Sequence, residues 1–288
     1  MIDIWPSPAK LNLFLYINNR RSDGYHNVQT IFQFLDYGDL LQIKINNSGN
    51  IELTTQFNDI PKENNLIIKA ANLLKKTAKN ILPLNAGAII HINKKLPIGS
   101  GLGGGSSNAA TILVALNYLW KIRLTINELA KLSLQLGADI PIFIYGLASF
   151  AQGKGEKIIP INFKEKWYLI TYPNIKISTK EVFNYSNLTR NTKHRSLHTL
   201  LNLPFTNDCE NIVRSNFNKV DEIINLLMKY APTRLTGTGS CVFSEFDNKK
   251  NAYDTLNLLP KYATGFIAKG INISPLRQVL LMNNLLRN

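Results

Sequence analysis

The chain has 288 residues, 45% of them hydrophobic and 18% charged, a balance that fits a soluble globular protein of two modest lobes and excludes long disordered tails. No run reaches the roughly 18 apolar residues of a membrane helix, and the apolar start carries Pro6, Pro8 and Lys10 instead of a basic leader, so the reading is a cytoplasmic protein with no membrane partner. The net charge of +14 is scattered in singles and pairs without a basic arm or RNA-binding signature, which points away from nucleic acid and toward an anionic small-molecule substrate.

In chain order, "PAKLNLFLYI" (8–17), "DLLQIKINN" (39–47) and "NIELTTQ" (50–56) read as neighbouring strands, the last two parted by an Asn-Ser-Gly turn. Residues 65–79 have helical periodicity with lysines toward the C-terminal end, and "GAIIHINKKL" (87–96) is a further strand. The segment 106–120 reads as a strong helix with Ser106, Ser107 and Asn108 as capping residues, and 125–137 as a second helix capped at Thr125. Residues 140–161 return to strand and turn, and "KWYLITYP" (166–173) is a strand. A single amphipathic helix over 211–231, a glycine turn feeding a strand over 232–246, a helix over 252–260 and the strand "GFIAKGI" (265–271) complete the pattern. Strands and helices without regular alternation indicate α+β, with lobes at 1–155 and 156–288. Cys209 and Cys241 lie far apart without metal spacing and read as buried thiols.

The densest signal is "PIGSGLGGGSSNAA" (97–110), with five glycines in seven positions ahead of a helix. A P-loop requires lysine directly after its second glycine, where this chain has Gly105. A literal GxGxxG is present from Gly99 to Gly104, but a second helix follows the first and the next acid is Glu128, so the dinucleotide-binding context is missing. Backbone N–H groups ahead of a helix N-terminus, unobstructed by Cβ atoms, still form an anion cradle, with close helix-on-sheet packing as the alternative reason for the glycines.

That run resembles the nucleotide loop of the GHMP kinase superfamily. With "PAKLNLFLYI", "RRSDGYHNVQTIFQFLDYGD", "NLIIKAANLL", "LGADIPIFIYG", "GKGE", "LTGTGSCVF" and "GFIAKGINISPL", the likeness spans nearly the whole chain and is to the superfamily's kinases of cytidine-diphosphate-linked methylerythritol. The resemblance implies a two-lobed fold whose N-terminal lobe has the ribosomal protein S5 domain 2-like topology, with a smaller α+β C-terminal lobe. It implies transfer of the ATP γ-phosphoryl group to the 2-hydroxyl of that alcohol, with Mg²⁺ as the second cofactor; the ion's protein ligands are unassigned, Ser107 being a candidate, and oligomeric state is not specified.

By the same resemblance Lys10 and Asp139 are catalytic, and Pro97, Ile98, Gly99, Ser100, Gly101, Leu102, Gly103, Gly104, Gly105, Ser106 and Ser107, with Asn65 and Leu66 at the purine, bind the nucleotide. Tyr25 and His26 hold cytosine by stacking and hydrogen bonding, with Phe183 as the opposing face, Thr179 nearby and Asn12 beside the substrate. Gly237 to Gly239 pack against the phosphate loop from the second lobe. The residues also admit plainer readings: Lys10 as an edge-strand charge, Asp139 as a cap, Tyr25 and His26 as loop aromatics, Asn65 as a helix start. Lys10 and Asn12 are two apart on a strand and so share one face. His194 and His198 have i, i+4 spacing without an intervening glutamate and read as solvated surface, and His91 as a sheet-face residue.

Overall fold

The computed structural model describes residues 4–57 and 60–286, so the first three residues of the apolar start, residues 58 and 59 and the last two of the chain fall outside it. β1 (Ile4–Arg20) and β2 (His26–Asn46) form a long antiparallel hairpin. Its register slips between Pro8 and Lys10 and again between Asn12 and Leu15. Such irregularities re-aim side chains, and here they bracket the Lys10 to Asn12 step. β2 also pairs with β4 (Gly87–Asn93) and with β5 (Ser149–Gly153), which pairs in turn with β6 (Lys157–Pro160). β3 (Ile51–Leu53) runs parallel to β4, joined to it through α1 (Leu66–Thr77).

α2 (Gly104–Leu119) is apolar nearly all round and is accordingly buried, with Ala109, Ala110, Ile112, Leu113 and Leu116 inaccessible to solvent. α3 (Ile126–Ser133) starts with a capping box between Thr125 and Glu128. α4 (Ile140–Tyr145) packs against both.

In the C-terminal lobe the order β10 (Thr264–Ile271), β7 (Trp167–Tyr172), β9 (Val242–Phe246), β8 (Thr233–Leu235) is antiparallel throughout. α5 (Thr179–Asn184), α6 (Leu197–Leu201), α7 (Glu210–Asn216), α8 (Asn218–Leu227) and α9 (Lys249–Leu256) complete this lobe. The end of β10 pairs with β2 at Gly270–Leu35 and Ile271–Phe34, which fuses the two sheets into one of ten strands among the described residues. α10 (Pro275–Met282) then returns to the first lobe, where Leu276 and Leu280 join its core. Leu11, Leu13, Phe14, Tyr168, Cys241 and Phe243 form a separate apolar cluster between the lobes. The α+β class and the two lobes agree with the sequence reading.

Several elements differ from it. Residues 140–145 are helix, not strand: "IPIFIY" is uniformly apolar, so neither period is visible, and the deciding features are Pro141 in the first turn and the left-handed Gly146 cap. Asp139 therefore precedes a helix. α2 begins at Gly104 with Gly103 as its cap, which puts Ser106, Ser107 and Asn108 inside the first turns. The helix read over 211–231 is two helices, broken where Phe217 leaves helical dihedrals. A lobe division at 155/156 falls within the β5–β6 turn. We assign β6 and the returning α10 to the N-terminal lobe. Both cysteines are free and fully buried, and burial pushes the Cys209 thiol up to about 12 and Cys241 upward as well.

Candidate active site

The glycine run turns sharply because Gly99, Gly101 and Gly103 take φ of +67°, +82° and +74°, dihedrals that only glycine adopts without strain. A Cβ on Gly101 would sit 2.5 Å from the Thr236 carbonyl oxygen and 3.0 Å from that of Gly239, so the loop presses on the Thr236–Gly239 turn of the other lobe. The Cys241 N–H donates to the Ser100 carbonyl across the same seam (2.9 Å). Gly101→Ala is expected to lose about 2 to 4 kcal/mol of stability in denaturant unfolding, since backbone strain and the clash add. A loss below 1 kcal/mol, on the order of an ordinary surface change, would show that the turn can yield.

Beyond Gly103, the first N–H groups of α2 have no intrahelical acceptor, and no acidic residue lies in its first turn. Sixteen residues of aligned dipole make this end an anion site. Leu66 lies beside Gly105, 3.5 Å from where a Cβ would stand. Asn65 caps α1, its Oδ1 accepting from the Ile67 N–H, so the plainer reading of that residue describes its side chain.

Lys10 is 3% exposed and held from two sides, donating to Asn12 Oδ1 and to the Gly101 carbonyl (3.0 Å). Asn12 is fixed in turn: its Nδ2 donates to Thr30 Oγ1 (2.9 Å) and its N–H to Thr236 Oγ1 (3.0 Å). Burial pushes the Lys10 ammonium below the ordinary value of 10.5, opposed by the charge of Asp139. An ammonium has three N–H donors, so one remains for a ligand. Asp139 stands at the start of α4 without capping it, and its carboxylate accepts no hydrogen bond from any described residue. Lys10 and Asp139 thus face one cleft of about 1000 Å³ in front of the glycine loop.

Tyr25, His26, Thr179 and Phe183 line the same cleft. Phe183 stacks on the His26 ring (centroids 4.8 Å, 26° between planes), whereas Tyr25 is 57% exposed with the Lys154 ammonium 4.1 Å from its ring centre. Thr179 Oγ1 is 3.0 Å from Thr238 Oγ1, which ties α5 to the glycine turn of β8–β9.

All the residues proposed from sequence line this cleft except Leu102, Ser107 and Gly239, the last of which packs against Gly101. Leu102 is buried and gives its carbonyl to the Lys10 N–H (3.1 Å). Ser107, also buried, accepts from Ser7 Oγ (2.9 Å). Three cleft cations escaped the sequence reading, Lys180 on α5 and two that are held by ion pairs. Lys94 reaches from beyond β4 to Asp39 (2.7 Å), and its ammonium lies 3.3 Å from where a Cβ on Gly104 would be. Lys154 sits in the β5–β6 turn, bridged to Asp23 (2.9 Å). Lys94 and Lys154 were hidden because each is placed by a long-range pairing that no local pattern encodes. The other histidines stay apart: His91 lies on β4 with Nδ1 3.0 Å from Thr54 Oγ1, and His194 is 2.8 Å from Gln152 Nε2. Among the described residues no three His, Cys, Asp or Glu gather as a metal cluster.

The comparisons agree with this architecture. Residues 65–147 match the model for the GHMP kinases N terminal domain, and residues 187–262 that for GHMP kinases C terminal. A solved 4-(cytidine 5'-diphospho)-2C-methyl-D-erythritol kinase superposes with TM-score 0.80 at 26% identity, covering 93% of this chain and 98% of that one. The mevalonate kinase of Methanococcus jannaschii gives 0.64 at 20% identity, over 93% and 98% of the two chains. A homoserine kinase from Cytophaga hutchinsonii gives 0.65 at 14%, over 96% of each, and these two likenesses concern the fold alone. No helix among the described residues is long and apolar enough to cross a membrane.

Proposed function

Because the chain carries both domains of the GHMP kinases and so belongs to that family of ATP-dependent kinases, we propose that it phosphorylates the 2-hydroxyl of 4-diphosphocytidyl-2-C-methyl-D-erythritol, a step of isoprenoid precursor synthesis in the cytoplasm. The observation that carries the reading is the single cleft that the glycine loop, Lys10 and Asp139 line together with the aromatic residues Tyr25, His26 and Phe183. A triphosphate fits against the N-terminus of α2. A small alcohol such as mevalonate or homoserine would leave Tyr25, His26 and Phe183 without a ligand; a nucleotide-linked alcohol uses these residues as well as Lys10 and Asp139.

The acceptor hydroxyl is a weak nucleophile, and Asp139, with no hydrogen bond to any described residue, can accept its proton. The third N–H of Lys10 points its charge at the developing alkoxide and the transferred group, held there by Asn12 and the Gly101 carbonyl. Burial strengthens that interaction, since the local dielectric is low. Mg²⁺ is held by few protein oxygens and mostly by phosphates and water, so the cleft needs no cage of carboxylates to accept it. The Ser106 hydroxyl beside the glycine loop is the side-chain oxygen that fits, and the ion when bound would neutralise charge on the triphosphate.

ATP is to be offered with the cytidine-linked alcohol, with mevalonate and with homoserine in separate assays. Turnover of the first alone is expected; phosphorylation of mevalonate alone would overturn the substrate assignment.

A further inference from the structure

Arg190 lies in the irregular segment after α5, where no motif marks it. Its guanidinium is saturated. Nη2 donates to the carbonyls of Phe183 (2.9 Å) and Tyr185 (2.6 Å), and Nη1 to those of Leu188 (3.2 Å) and Ser186 (3.4 Å). The remaining Nε–H donates to His26 Nε2 (3.2 Å). One side chain therefore grips both walls of the aromatic pocket, the ring on β2 and the end of helix α5 that carries Phe183.

The fifth bond has a chemical consequence. A guanidinium is always a donor, so His26 Nε2 must be the acceptor, which places the ring proton on Nδ1. No described residue partners that Nδ1–H, and the ring lines the cleft. We infer that Arg190 is a positioning residue that makes the pocket selective for a base with an unprotonated ring nitrogen, by holding His26 as an Nδ1–H donor against Phe183. Cytosine presents such an acceptor at N3, whereas uracil presents an N–H there and would meet donor with donor. Leaving two buried donors face to face is the kind of mismatch that gives strong discrimination. Burial and the charges of Arg190 and of Arg20, on the neighbouring strand, also keep the His26 pKa below the ordinary 6.5, so the ring remains neutral at physiological pH. The inference rests on the nucleotide-linked substrate proposed above.

The test combines two readouts. Long-range ¹H–¹⁵N NMR of the free full-length chain, which has only four histidines to assign, should show His26 as the Nδ1–H tautomer with a pKa below 6.5. In Arg190→Met the Nε2–H tautomer should appear and the pKa should rise, because a nearby positive charge is gone. The same variant should raise KM for the cytidine-linked alcohol about tenfold or more and shrink the preference over the uridine analogue, with KM for ATP unmoved. Arg190→Lys keeps the charge without the fork, so the pKa should stay low while KM still rises. Should the Met variant fail to fold, the wild-type spectrum and the Lys variant decide the matter. An Nε2–H tautomer in the wild type, or an unchanged cytidine-to-uridine ratio in a folded variant, would overturn the inference. If the wild type phosphorylates no cytidine-linked alcohol, the substrate reading falls, and the tautomer measured without substrate still reports separately on the Arg190–His26 pair.

Discussion

Asp139→Asn is expected to lower kcat by about two to four powers of ten while leaving the affinity for ATP within about twofold, the span that a positioned proton acceptor contributes. The geometry makes this a clean substitution. The carboxylate caps nothing and accepts no hydrogen bond from any described residue, so its loss unfolds no helix and strands no donor. The glycine loop lies on a different element and does not contact it through any hydrogen bond. Single-turnover phosphoryl transfer and nucleotide titration separate the two effects. A variant within tenfold of the wild-type rate would remove the general base from the mechanism. A further consequence follows from charge: Asp139 is what raises the Lys10 pKa against burial, so the asparagine variant should drop that pKa still lower.

The sequence was most informative where function constrains backbone locally. The glycine run declares its own dihedrals, and the two-residue spacing of Lys10 and Asn12 sufficed to put both on one face, as their hydrogen bond bears out. It was least informative where burial is uniform or partners are distant. "IPIFIY" hides its helix because every side chain is apolar, and the start of β2 was not recognised because "HNVQT" alternates too weakly to announce a strand. Arg190 is separated from His26 by 164 residues, and Lys94 from Asp39 by 55. Such pairings are set by the tertiary arrangement of β2 against its neighbours, which composition and period do not carry. The return of α10 to the first lobe belongs to the same class, since nothing local to Leu276 and Leu280 names the core they join.

Lys10→Met is expected to lower kcat by about two to three powers of ten, the usual cost of removing one preorganised charge donor from a transition state, with a smaller effect on KM for ATP. Methionine approximates the length and fills the site under Gly103, whose added Cβ would stand 3.1 Å from Lys10 Cε, so packing is preserved while the charge and its hydrogen bonds to Asn12 and Gly101 are lost. The pH profile distinguishes this role from a structural one. Lys10 must be protonated to act, and burial depresses its pKa below 10.5, so the alkaline fall of wild-type activity should occur at lower pH than an ordinary lysine would give. The same depression has the opposite sign for stability: the folded chain binds this proton more weakly than the unfolded one, so the cost is present below the folded pKa and relieved as pH rises toward 10.5. Activity and this increment of stability should therefore move in opposite directions through one pH window, and both trends should vanish in Lys10→Met. An alkaline limb that survives in the variant unchanged would assign the titration to another group and leave Lys10 as a packing residue.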